Sequence, residues 1–222
     1  MTEVGTEVPT QTDGGWLIYG CRTPYAAEAA ETIWRRGESV VALVDNHPSG
    51  EMPNGLGSVI SVGEVTPALA RTPAVIPLLT PGLRPMVEAE ARVHGIVSFP
   101  TLVDPTAVVA RTSRLGEGTM INAMSMIGAN CVLGRFVHVN RSASIGHDAT
   151  IASFCTIGPG CVLAGHITLE SGAYLGAGVT IAPKVTIGAN AVVGAGAVVV
   201  KDVPGGAVVV GNPAKVLRQS ET

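Results

Sequence analysis

The sequence predicts a small parallel α/β domain followed by a long parallel β-helix, and three observations carry that expectation. From Val103 to Val199 an aliphatic residue stands at every sixth position without a break. Ahead of that stretch, apolar runs of strand length alternate with segments of helical spacing. The composition is rich in glycine (28 residues) and poor in aromatics (4%), with only 14% charged residues and a mean hydropathy of +0.40. A core without large rings must be assembled from small aliphatic side chains used over and over.

The opening residues 1–15 are polar, without the basic and apolar segments of a secretory leader, and read as a flexible arm. A small α/β domain is expected over 16–100. Trp16–Gly20 is a strand running into a turn. Tyr25–Arg36 follows with helical spacing (Ala26, Ala29, Ala30, Ile33) and Gly37 stops it. Val40–Val44 is a second strand closed by Asp45. His47–Gly57, rich in Pro and Gly, is a loop; Ala74–Leu79 is another strand and Leu83–His94 another helix. Alternation of strand and helix implies a parallel sheet.

Residues 101–204 form the repeat region. A period of six fits no α-helix, whose apolar positions recur every 3.6 residues. It fits short strands joined by turns, with the aliphatic residue pointing inward. Four positions later stands a second inward residue, small or β-branched, as at Ala107, Ser113, Thr119, Cys131, Cys155 and Cys161. Three of the four cysteines therefore fall at packing positions, and none shows metal-binding spacing. Glycine often follows the aliphatic residue (Gly116, Gly128, Gly146, Gly158), where it is expected to relieve sharp corners. Residues 205–222 read as a C-terminal tail.

This pattern resembles the hexapeptide-repeat acyltransferases, and Val209-Val210-Gly211-Asn212-Pro213-Ala214-Lys215 is similar to the closing motif of that superfamily. The resemblance implies a left-handed β-helix with three hexads per coil. By that count the chain makes between five and six coils of a triangular prism. It further implies a homotrimer, with acetyl-CoA as co-substrate in the groove between neighbouring prisms.

Acyl transfer from a thioester needs a base and a donor for the developing oxyanion. His147 stands at an outward hexad position with Asp148 beside it. The segment Asn140–Asp148 resembles the active-site coil of acyltransferases acting on sialic acids or nucleotide-linked 4-amino sugars. By that resemblance His147 is the general base, Asp148 orients it and Asn140 contacts the acceptor. Thr156 stands where the family often has a second histidine near the thioester, so a coenzyme contact is carried to it. Gly165 matches the backbone donor to the thioester carbonyl. It lies eighteen residues after His147, one coil above, and His166 by the same count stacks over Asp148. Gly176, Ala177, Ala195 and Gly196 match the coenzyme channel, Pro213 lies in the closing motif, and Lys201 or Lys215 is placed to pair with coenzyme phosphates.

In the N-terminal domain, strand, turn, helix and a strand-ending acid form the layout of a nucleotide-binding half-Rossmann unit. Gly20, Arg22 and Asp45 are its candidate contacts for a nucleotide-linked sugar. Only one glycine stands in the turn Gly20–Ala26, so two readings stay open: Arg22 meets a phosphate as a charge, or the turn is structural.

A net charge of −3 with no basic block argues against nucleic acid, and no apolar run is long enough for a membrane helix. A cytoplasmic enzyme is the expectation. Three alternatives stand beside it: an acyltransferase for a non-nucleotide acceptor, a non-catalytic scaffold, and a γ-carbonic-anhydrase-like zinc site from His138, His147 and His166. The third is disfavoured because His138 falls on another face, and no metal is assigned.

Overall fold

The computed structural model describes residues 15–47, 50 and 54–219; the expected arm, apart from Gly15, lies outside them. The first domain contains β1 (Trp16–Tyr19), α1 (Tyr25–Arg35), β2 (Val40–Asp45), β3 (Val59–Ser61), β4 (Ala74–Val75) and α2 (Arg84–Val93). Its parallel sheet has the order β3-β2-β1-β4. Strand β1 is central, and its alternation serves two layers. Trp16 and Ile18 pack with Ala26, Ala29, Ala30 and Ile33 of α1, while Leu17 and Tyr19 pack with Ala91 of α2, Ile96 and Phe99. Helix α1 ends at Gly37, whose φ of +75° turns the chain back so that Glu38 N–H reaches the Ile33 carbonyl at 3.1 Å. Two expectations change here. The strand expected over Ala74–Leu79 pairs only at Ala74–Val75, and β3 adds an edge that three short residues did not signal.

Seventeen two-residue strands follow, β5 (Leu102–Val103) to β21 (Val198–Val199), one every six residues. They stack into three parallel faces with a register of eighteen, as in His138↔Thr156, Ser144↔Val162 and Thr150↔Thr168. Face one takes β5, β8 and every third strand, face two starts at β6, and face three at β7. The architecture is the left-handed parallel β-helix that the family resemblance implied. Ile127, Ile145, Leu163, Ile181 and their counterparts fill its interior together with Cys131, Ala149, Cys155, Cys161 and Ala173.

The tight inward position has a second function. Ser113, Thr119 and Ser125 donate to the carbonyl fifteen residues ahead at 2.6, 2.9 and 2.9 Å. The thiols of Cys131, Cys155 and Cys161 make the same contact at 3.1, 3.0 and 3.1 Å. Burial pushes the Cys155 and Cys161 thiols up to about 11, so they remain protonated donors.

The recurrent glycines are explained differently from the sequence expectation. Gly116, Gly128, Gly146 and Gly158 do not have positive φ; a β-carbon on any of them would lie 2.5–2.8 Å from the backbone of the next coil. Close approach of coils selects them. The left-handed conformation falls two residues later, at Asn130, Asp148, His166 and Lys184 along one corner.

The α/β domain lies on face one. Leu102, Met120, His138 and Thr156 point outward from successive strands there and are all buried. Arg84, from the start of α2, is 1% exposed and donates to the carbonyls of Leu78, Phe154 and Cys155 and to Thr156 Oγ1. At the far end, the tail expected from 205 opens instead with β22 (Ala207–Val210). That strand continues face one before β23 (Lys215–Gln219) returns antiparallel.

Candidate active site

The corner between faces two and three carries the chemistry. His147 and Asp148 form the turn between β12 (Ser144–Ile145) and β13 (Thr150–Ile151). Rungs hold the corner from both sides: Asp148 N–H donates to the Ala129 carbonyl at 2.8 Å, and His166 N–H to the His147 carbonyl at 2.9 Å. Asp148 has φ of +56°, a left-handed conformation that an Asp side chain tolerates.

His147 Nδ1 is 2.6 Å from Asp148 Oδ2, and Asn130 Nδ2 donates to Asp148 Oδ1 at 3.2 Å. These two bonds, the His147 one foremost, hold the Asp148 carboxyl below the usual carboxylate range. An ionised carboxylate only accepts, so Nδ1 carries the proton and Nε2 keeps the lone pair. Gly165 makes room for that ring: a β-carbon there would be 2.7 Å from His147 Nε2. The Gly165 N–H finds no acceptor among the described residues. The His147 side chain is 60% exposed, so the base is open to a substrate. His166 stacks as the count required, with its ring edge-on to His147 at 5.0 Å. Its Nε2 is 3.9 Å from Asp148 Oδ2, an electrostatic contact too long for a hydrogen bond.

Other expected residues fall elsewhere. Asn140 follows β11 (His138–Val139) at the edge of face one and is fully buried. Its side chain donates to the Tyr25 hydroxyl at 3.4 Å and accepts from Asn122 Nδ2 at 3.4 Å and Arg141 N–H at 2.9 Å. The acceptor contact expected of Asn140 falls on a side chain already hydrogen-bonded inside the protein. The coenzyme contact expected of Thr156 falls on a side chain that is already engaged. Thr156 is 1% exposed beneath the α/β domain, where it donates to the Leu79 carbonyl at 2.6 Å and accepts from Arg84 at 2.9 Å. His138 is also buried on face one, T-packed against Tyr25 at 5.6 Å. Burial and the neighbouring Arg84 charge push its imidazole down to about 3, so it is neutral. The three-histidine zinc arrangement therefore does not form.

Gly176, Ala177, Ala195 and Gly196 share the corner between faces one and two, with Gly196 N–H on the Ala177 carbonyl at 2.8 Å. Lys201 lies on the His147 corner three coils on. Together with Pro213 and Lys215 it lines a concavity of about 340 Å³ at the C-terminal end. At the strand ends of the α/β sheet, Arg22 is already engaged. Its guanidinium forks onto Asp45 at 2.9 and 2.8 Å and also donates to the Gly50 carbonyl at 3.0 Å. A phosphate at Arg22 must share or displace that carboxylate. Sequence reasoning missed Tyr25, Asn130 and Arg84. Only Asn130 had a usable signal, eighteen residues before Asp148.

A stacked prism with an imidazole–carboxylate pair on an open edge defines a transferase of the hexapeptide class, and comparison with known proteins agrees. The family profile described as bacterial transferase hexapeptide (six repeats) matches residues 124–159, 148–183 and 166–201. Perosamine N-acetyltransferase from Caulobacter crescentus, solved with CoA and GDP-perosamine, is 32% identical. The alignment covers 95% of this chain and 100% of that one with a TM-score of 0.84. The acetyltransferase domain of PglB from Neisseria gonorrhoeae, solved with acetyl coenzyme A, is 26% identical over 93% and 100% with a TM-score of 0.83. WeeI from Acinetobacter baumannii is 26% identical over 91% and 99% with a TM-score of 0.81. A search of curated protein sequences found no match. The chain belongs to the hexapeptide-repeat family of sugar O-/N-acyltransferases.

Proposed function

We propose that this enzyme transfers the acetyl group of acetyl-CoA to an amino group of a nucleotide-linked sugar, with His147 as general base. The observation that carries the reading is the His147–Asp148 pair, tautomer fixed, with Nε2 free above Gly165. His147 Nε2 takes the proton as the acceptor nitrogen bonds to the thioester carbonyl carbon. The Gly165 N–H donates to the oxyanion that develops. Collapse expels the coenzyme thiolate, which takes the proton back from His147. Asp148 stabilises the imidazolium while it lasts. The solved relatives with CoA, GDP-perosamine and acetyl coenzyme A support this choice of substrates.

The placement of the candidates also supports a homotrimer. His147, Gly165 and Lys201 occupy one edge of face two; Asn140, Gly176, Ala177, Ala195 and Gly196 occupy the other. One face separates them, on the order of 15–20 Å, and on a single prism the two edges enclose no groove for a coenzyme. A cyclic head-to-tail contact sets one edge against the opposite edge of a neighbour and completes three sites. Outward residues of face two include the exposed Val108, Met126 and Val162, an apolar stripe suited to that contact. In this arrangement Lys201 and Lys215 meet the coenzyme phosphates, and the Gly20–Arg22–Asp45 cleft holds the nucleotide.

Thiol release from acetyl-CoA, measured against GDP-, UDP- and dTDP-linked 4-amino sugars and against free amino sugars and sialic acids, tests the reading. Nucleotide-dependent release that falls ~10²–10⁴-fold in His147→Ala is the expected result. Equal rates with free sugars would overturn the nucleotide, and an unaffected variant would overturn the base.

A further inference from the structure

The corner gathers three metal-ligating side chains. One nitrogen each from His147 and His166 and one oxygen from Asp148 all lie within 4.8 Å of one another. We propose that these residues form a binding site for a divalent cation of the zinc class, and that the ion reversibly silences the enzyme.

The geometry needs little adjustment. A tetrahedral ion with ligands at about 2.0–2.2 Å places its ligand atoms roughly 3.3–3.5 Å apart. Here the shared oxygen Asp148 Oδ2 is 2.6 Å from His147 Nδ1 and 3.9 Å from His166 Nε2. The first must open and the second close, each by less than about 1 Å, and the two imidazole nitrogens, within 4.8 Å of each other, must approach by up to about 1.5 Å. Both imidazoles are more than half exposed and free to rotate, while the coil-to-coil rungs fix the backbones beneath them. Asn130 holds Asp148 Oδ1 and leaves Oδ2 for the ion, the arrangement by which an outer partner orients a ligand. Two imidazoles and one carboxylate favour Zn²⁺, Co²⁺, Ni²⁺ or Cu²⁺ over Mg²⁺ or Ca²⁺. Three protein ligands leave a fourth position toward solvent.

Silencing follows from the inventory of the imidazole. A neutral ring has one lone pair. If Nε2 binds the ion, that lone pair is occupied. If Nδ1 binds it, the ring proton moves to Nε2, which can then accept nothing. Either way His147 cannot take a proton. This consequence rests on the reading of His147 as base; the binding itself does not.

The untagged full-length chain, stripped with chelator, is titrated with Co²⁺ while its visible d–d absorption is followed, and Zn²⁺ is then used to displace it. Acetyl transfer is assayed in parallel as the ratio of zinc-loaded to metal-free rate for each variant. The expected result is one saturable ion per chain with tetrahedral Co²⁺ bands, weakened in His166→Ala by at least the about 10–100-fold that loss of an outer partner costs and unchanged in His94→Ala, an exposed histidine on the other domain. Inhibition is expected to reverse with EDTA, and His166→Ala to need correspondingly more zinc. A featureless titration, or equal affinity in His166→Ala and the intact chain, overturns the site. Saturable binding that leaves the rate untouched upholds the site and overturns His147 as base.

Discussion

In the α/β domain each buried contact is made once. Trp16 and Ile18 meet α1 while Leu17 and Tyr19 meet the opposite layer, and beyond this one strand no fixed spacing carries the arrangement on. In the prism every contact recurs eighteen residues later, so Ile145 meets Leu163 as Leu163 meets Ile181. The difference decides where function is written. Repetition fixes the interior completely and leaves corner side chains free to vary, and a catalytic pair is set there without disturbing the stack. The α/β domain instead spends unique residues on docking, and the turn after β1 is engaged by an Arg22–Asp45 pair that belongs to no pattern.

The sharpest test of that contrast is His147→Ala. A corner side chain 60% exposed should carry activity and not stability. The expected loss is ~10²–10⁴-fold in kcat with no change in the thermal midpoint; a lowered midpoint would show that the corner bears structure. Next is Arg84→Ala, which removes a charged donor from three carbonyls and Thr156 at the domain junction. A cost of about 3 kcal/mol is expected in urea unfolding, along with separate melting of the two halves, and an unmoved midpoint would refute the pin. Within the prism, Gly158→Ala puts a β-carbon 2.6 Å from the Gly176 backbone, whereas Gly160→Ala meets nothing within 4 Å but sits at φ of +66°. Overpacking should cost about 1–3 kcal/mol and the left-handed residue about 1 kcal/mol. The reverse order would mean that corner strain selects the glycines after all.

Acid should act through His138. Its folded-state pKa of about 3 lies below the unfolded value, so its contribution is present above about 6.5 and drains as pH falls toward 3. Over that window the intact chain should lose up to about 1.4 kcal/mol per pH unit. The loss should flatten in His138→Gln when unfolding is followed by denaturant titration at several pH values. Smallest is Arg22→Ala, which breaks a solvent-screened pair and should leave the unfolding midpoint nearly unmoved. Its value lies in KM, which is expected to rise for nucleotide-linked acceptors only.

How far these features could be read in advance follows the same division. The register of eighteen that the family resemblance implies puts Gly165 over His147 and His166 over Asp148, because a stack converts spacing into proximity. The roles of glycine in that stack were misplaced, since sequence alone does not distinguish a close approach from a positive φ. The surroundings of Thr156 were illegible for a different reason. Its outward position was legible, but what covers it comes from Arg84, some seventy residues away in the chain. Strand β3 and the Arg22–Asp45 fork likewise depend on contacts that no local pattern encodes.

The docking of the α/β domain across Leu102, Met120, His138 and Thr156 has a mechanical consequence. A coil that touches only its neighbours behaves as a one-dimensional zipper, whose ends open first. Here the early rungs are clamped from the side and the later ones are not. Amide deuterium uptake should therefore climb from residue 160 toward the C-terminus. His147 sits on braced rungs that keep its aim, while the lysine-lined concavity sits where the stack can breathe.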